Sequence, residues 1–175
     1  MTTGILLPRP AAGDAASYYF TYIDKVPDGD VLALLETSLD DTRQALAAVD
    51  AERETFRYAP GKWTVRDVVG HLLDAERVFG YRAFHFARAD PAELPSMDQE
   101  IYARTARAER RPLAEVLDEL ADVRRGHLAL FRGFDDEAWE RTGIASNVPF
   151  RVRAIPFILA GHEIHHRQIL VERYL

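Results

Sequence analysis

Apolar residues recur along most of this chain at the three-and-four spacing of helices buried on one face. After Asp30, a favourable N-cap, Val31, Leu34, Leu35, Leu39 and Leu46 predict a first helix running to about Val49. The turn Ala59-Pro60-Gly61 closes it. Thr64 with Asp67 three residues later forms a capping box, opening a long second helix to about Arg88 with Val65, Val68, Leu72, Ala75, Phe79 and Phe86 inward. Pro91 and Pro95 end that run, and a short helix near Asp98 to Thr105 follows. Pro112 suits the first turn of a third long helix ending near Gly133, with one more turn at Asp135 to Glu140. The last helix spans about Val152 to Tyr174, its stripe built from Val152, Ile155, Ile158, Leu159, Ile169 and Leu170. Pro156 requires that this helix begin near Ile155 or bend there.

No alternating strand pattern of useful length, internal repeat or low-complexity tract interrupts this reading, so the class is all-α and four long helices predict a four-helix bundle. The 175 residues, 47% hydrophobic, fit one domain with a sizeable core. Residues 1–29, punctuated by Pro8, Pro10, Gly13, Pro27 and Gly29, read as an arm with a short helical turn around Tyr18 to Tyr22 that packs on the bundle of residues 30–175.

Composition narrows the chemistry. A net charge of −6 argues against a partner that is nucleic acid or anionic membrane and favours a small-molecule substrate. With neither a spanning apolar run nor a secretory-type start, the expected location is the cytoplasm. No cysteine is present, so any thiol chemistry must use a thiol brought by a substrate, and metal ligands must be histidine or carboxylate. Of 22 basic residues only Lys25 and Lys62 are lysine, a bias that carries no functional weight.

The six histidines are His71, His85, His127, His162, His165 and His166. His162 and His166 fall inside the apolar stripe of the last helix, four residues apart, so their imidazoles reach a common point. Burying both without partners costs a few kcal/mol, roughly 1–3 each, and a shared metal ion is the simplest compensation. His71 borders the inward stripe of the second helix at a depth that matches His162 if the two helices start at the same end of the bundle. Three such ligands leave a coordination position for water or substrate. His165 points about 100° away from His166, and His85 and His127 read as ordinary, partly exposed histidines. Asp74 and Glu163 either orient a ligand imidazole or are solvated surface carboxylates. His162-Glu163-Ile164-His165-His166 also satisfies the H-E-x-x-H pattern of zinc peptidases, in which Glu163 is the general base. A third ligand downstream is poorly supplied, with Glu172 the only acidic residue after His166, and no sheet is predicted to hold a peptide.

Three segments together resemble the DinB-like family of metal-binding four-helix-bundle proteins: Gly61-Lys62-Trp63-Thr64-Val65-Arg66-Asp67-Val68-Val69-Gly70-His71-Leu72, then Asp74-Ala75-Glu76-Arg77 with Tyr81-Arg82-Ala83, and Ala160-Gly161-His162-Glu163-Ile164-His165-His166. The resemblance implies a divalent metal, zinc or nickel, on His71, His162 and His166, an unusual helix order with long crossover connections, and a homodimer. It also implies kinship with transferases and isomerases that use a low-molecular-weight thiol such as bacillithiol or mycothiol. On that footing the expected activity is a metal-dependent thiol S-transferase, with Arg82 either meeting a carboxylate of the thiol or forming a surface salt bridge. A metal-dependent hydrolase and a non-enzymatic, stress-related metal-binding protein are the alternatives. No catalytic or cofactor-binding residue beyond the ligand set is assigned.

Overall fold

A computed structural model describes residues 6–175, so the first five residues of the expected arm lie outside the described residues. A 3-10 turn at Ser17–Tyr19 leads into the short helix α1, Phe20–Ile23. The remaining helices are α2 at Val31–Ala45, α3 at Val65–Ala87, α4 at Gln99–Ala106, α5 at Leu113–Arg132, α6 at Asp136–Glu140 and α7 at Ala154–Arg173. The caps work as anticipated. Asp30 accepts from the backbone of Leu32 and Ala33, and Thr64 and Asp67 form the reciprocal capping box. Pro156 lies in the first turn of α7, where its missing N–H has no intrahelical acceptor to lose, and no bend is needed.

The long helices α2, α3, α5 and α7 form the bundle. Each of α2 and α3 packs against both α5 and α7, which places α2 diagonal to α3 and α5 diagonal to α7. Side-chain pairs fix the directions. Tyr174, at the end of α7, donates from its hydroxyl to the carbonyl of Trp63, just before α3, so these two helices are antiparallel. His71 and His162 therefore do not start from the same end. Their depths match because His71 lies in the first third of α3 while His162 and His166 straddle the middle of α7. Contacts of Arg66 with the Glu109 carbonyl and of Glu76 with Arg124 make α3 and α5 parallel. Arg43 pairs with Asp118 and Glu36 with Arg132, so α2 runs antiparallel to α5 and hence parallel to α7, with Ser38 and Thr42 meeting Glu163 across that seam. Two parallel neighbours in sequence, α3 and α5, require the chain to travel back along the bundle between them, and residues 88–112 with α4 do so.

One element departs from the all-helical expectation. Strands β1, Thr142–Ala145, and β2, Val148–Arg151, form an antiparallel hairpin around Ser146 and Asn147, both with positive φ as a tight hairpin turn requires. Four residues per strand give an alternation too short to read. Leu94 of the returning segment bridges to Ala145, so the hairpin and this crossover brace each other. The arm is anchored by Leu7, Ala15, Ile23 and Val26, all buried in the main core. No described helix is long and apolar enough to cross a membrane.

Candidate functional site

The sequence places small residues where α7 must be approached closely. At Gly161 an added Cβ would stand 2.0 Å from the Tyr22 carbonyl oxygen, so only glycine admits the arm against the turn that carries His162. Tyr22 then sets its ring edge-on to His162, with centroids 5.1 Å apart. From the other side Trp63 packs against His71 at 4.9 Å.

Between these aromatic flanks His71, His162 and His166 converge. The Nε2 atoms of His71 and His162 are 3.0 Å apart, and one ligand nitrogen from each of the three rings lies within 4.8 Å of the others. Tetrahedral ligands about 2.0–2.1 Å from a zinc ion stand roughly 3.3 Å from one another, a spacing this cluster brackets. His71 and His162 are buried and His166 is half-buried. Burial pushes the His71 imidazole down to about 4 and that of His166 to about 3, and lowers His162 well below its ordinary range; neighbouring imidazoles add to the effect at His162 and His166. All three are therefore neutral at pH 7 and offer lone pairs. Nδ1 of His71 and of His166 is buried and finds no hydrogen-bond partner among the described residues. Three neutral nitrogen donors with no acid to satisfy them fit a divalent cation.

Glu163 is neither a solvated carboxylate nor positioned as a base beside the histidines. It is 1% exposed and turned to the opposite side of α7, accepting from Ser38 Oγ at 2.8 Å, Thr42 Oγ1 at 2.7 Å and two Arg124 nitrogens at 3.1 Å. Arg124 also grips Glu76 through two 2.8 Å hydrogen bonds, and His127 stands 3.2 Å from the same carboxylate. This buried cluster ties all four long helices together and occupies both oxygens of Glu163, leaving the H-E-x-x-H pattern without its general base. A sequence signal for it existed: Ser38 and Thr42 lie one turn apart on the inward side of α2. Asp74 is half-buried and makes no hydrogen bond to an imidazole among the described residues; burial raises its carboxyl. His165 packs its ring against Tyr22 and His166 rather than joining the trio. His85 is buried, not partly exposed, and its Nε2 pairs with the Ala92 carbonyl at 2.9 Å.

Two cavities flank the histidines. The first, about 180 Å³, is bordered by His71, His162, Tyr22, Phe79, Arg82 and Ser146. The second, about 230 Å³, is bordered by His166, Trp63, Lys62, Tyr58 and Tyr174. Gln99, at the start of α4, borders both. Arg82 corrects the surface salt-bridge expectation, because it is 3% exposed and forms no ion pair among the described residues.

The fold is shared with proteins of known structure. YfiT from Bacillus subtilis, described as a probable metal-dependent hydrolase with an unusual four-helix bundle topology, superposes with a TM-score of 0.72 at 19% identity over 95% of this chain and 91% of its own. A mycothiol-dependent maleylpyruvate isomerase superposes with a TM-score of 0.65 at 11% identity, covering 82% of this chain and 61% of that one. No curated protein matches the sequence. A family model described as the DinB superfamily matches residues 34–170, from within α2 almost to the end of α7, and the chain belongs to that superfamily.

Proposed function

We propose that His71, His162 and His166 hold a divalent cation, zinc or nickel, and that the protein is a metal-dependent enzyme whose leading activity is transfer of a low-molecular-weight thiol to an electrophilic small molecule. The observation that carries this reading is the convergence of three buried or half-buried neutral imidazoles, two of them with an unpartnered Nδ1, opening onto two cavities, with no fourth ligand in the cluster among the described residues. A structural site closes its coordination sphere, whereas a site for chemistry leaves a position free. A cation bound there supplies Lewis acidity, lowering the pKa of a thiol or water at that position.

The chain's own residues supply the rest. The histidines are kept neutral by burial, and Trp63 and Tyr22 hold their rings from either side. Two cavities meeting at one centre suit a reaction of two small molecules, and the absence of cysteine means that the nucleophilic thiol arrives as a substrate. A hydrolase is the second reading, supported by the likeness to YfiT, described as a probable metal-dependent hydrolase and covered over 91% of its length.

The test is metal analysis of the wild type and of His71→Ala, His162→Ala and His166→Ala after equilibration with zinc or nickel. The loaded protein is then offered candidate thiols with a panel of electrophiles, and separately a panel of esters. Stoichiometric metal in the wild type, lost in each variant, with consumption of one thiol is the expected result. Ester cleavage without thiol consumption selects the hydrolase. A wild type that holds metal yet turns over neither panel returns the protein to a non-enzymatic binding role.

A further inference from the structure

We infer that the smaller cavity is a carboxylate-binding site, with Arg82 as the residue that anchors the anion of a ligand whose other end approaches His71 and His162. Arg82 is as buried as Arg124, at 3% and 4% exposed, yet the two are treated differently by their surroundings. Arg124 faces two carboxylates. Arg82 has only neutral partners: Nη2 donates to Ser146 Oγ at 3.0 Å and to the Pro95 carbonyl at 3.3 Å, while its guanidinium lies over the rings of Phe79 and Phe150 at 5.0 and 5.3 Å. Nε and Nη1 make no hydrogen bond among the described residues. A buried guanidinium without a counter-ion is costly, and a guanidinium held in place by a hydroxyl, a carbonyl and two ring faces is oriented in advance for an anion.

The lining supplies no rival anion. Asp98, the acidic residue nearest in sequence to the lining residues Met97 and Gln99, spends its carboxylate capping α4. Positions 71, 75, 78, 79 and 82 share one face of α3, and a helical side chain leans toward the N-terminus, so Arg82 reaches back over Phe79 toward His71. That lean shortens the roughly 16 Å rise from position 71 to position 82. Tyr18 and Tyr22, whose hydroxyls are 2.7 Å apart, border the space between. A cavity of about 180 Å³ suits a compact acid rather than a nucleotide.

The inference rests on the metal reading only for what the far end of the ligand meets, and the two possible carriers of the carboxylate, the thiol and the electrophile, are distinguished by the test. Binding is therefore measured by calorimetry with two matched pairs, 3-mercaptopropionate against its methyl ester and crotonate against methyl crotonate, on the metal-loaded protein and after chelator dialysis. At least one acid should bind roughly tenfold to a hundredfold more tightly than its ester. The pair that shows the preference identifies which reactant carries the anion. Arg82→Gln should erase the preference and Arg82→Lys restore part of it, with thermal melting confirming that both fold. A preference that survives dialysis supports the anchor even if metal analysis refutes the histidine site. Equal binding of acid and ester in both pairs, no binding of either acid, or a preference that persists in Arg82→Gln overturns it.

Discussion

Two polar clusters share α3 and α7, and they solve the problem of burial in opposite ways. On one side of α7, Glu163 joins Glu76, Arg124, Ser38 and Thr42 in a group where every charge faces an opposite charge or a hydroxyl. One residue earlier, His162 turns to the other side and meets only two more neutral imidazoles, beyond which Arg82 waits without a carboxylate. Burial alone does not separate a structural polar cluster from a functional one. Completeness is the difference on view: the first cluster has spent its donors and acceptors on itself, whereas the second leaves two imidazole nitrogens and a positive charge without protein partners among the described residues.

The contrast breaks most visibly at Arg124. Arg124→Met leaves two carboxylates buried without their cation, and we expect a loss of about 3–5 kcal/mol in denaturant unfolding, near the upper range for a single substitution. Metal uptake by the fraction that remains folded should persist. The opposite result, intact stability with lost metal, would reverse the roles assigned to the two clusters.

On the histidine side the expected effect is smaller and depends on ligand. Zinc or nickel at a hundred times its dissociation constant should stabilise the protein by about 2.7 kcal/mol, read as a raised melting temperature. His71→Ala should abolish that gain while changing the metal-free stability little, since it removes an unsatisfied buried group along with its packing. The metal-free protein should also weaken in acid. Burial holds the His71 imidazole at about 4 against 6.5 in the unfolded chain, so between those values the unfolded state binds the extra proton and stability falls as the pH falls. By pH 5 the cost is about 2 kcal/mol for His71 alone, and His166 adds to it. Equilibrium unfolding from pH 7 to pH 5, with and without metal, measures this. A flat profile in the metal-free protein would mean that the imidazoles already have partners.

The helical frame and the pair His162 and His166 were legible because each leaves a periodic trace: apolar stripes, Asp30 and Thr64 as caps, and two histidines one turn apart inside a stripe; the depth argument for His71 assumed a shared starting end that the antiparallel helices do not have. What the sequence hid depends on contacts between distant segments. The antiparallel relation of α3 and α7 shows only in pairs such as Tyr174 with Trp63, and the commitment of Glu163 depends on Arg124 from a third helix. A single helix projection treats Glu163 as surface because it lies beyond the apolar stripe, although α2 and α5 cover that side as well. The hairpin was illegible for a different reason. Four-residue strands carry almost no alternation, and Ser146-Asn147 is a weaker turn signal than Asn-Gly.

That hairpin offers the finest discrimination between the two arginines. Arg124 would barely notice the loss of one hydroxyl, since it donates five further hydrogen bonds beside the one to Ser38. Among the described residues Arg82 has a single side-chain hydrogen-bond partner, Ser146, delivered by the positive-φ turn between β1 and β2. Ser146→Ala should therefore cost only about 0.5–1.5 kcal/mol of stability, the net value of one hydrogen bond. Its effect on ligand binding should be more specific, because a guanidinium freed from Ser146 keeps its charge but loses its aim. Acid should still bind better than ester, with a reduced margin, and neutral ligands should be unaffected. If the margin is unchanged, the hairpin only covers the cavity, and the orientation of Arg82 comes from Phe79, Phe150 and the Pro95 carbonyl.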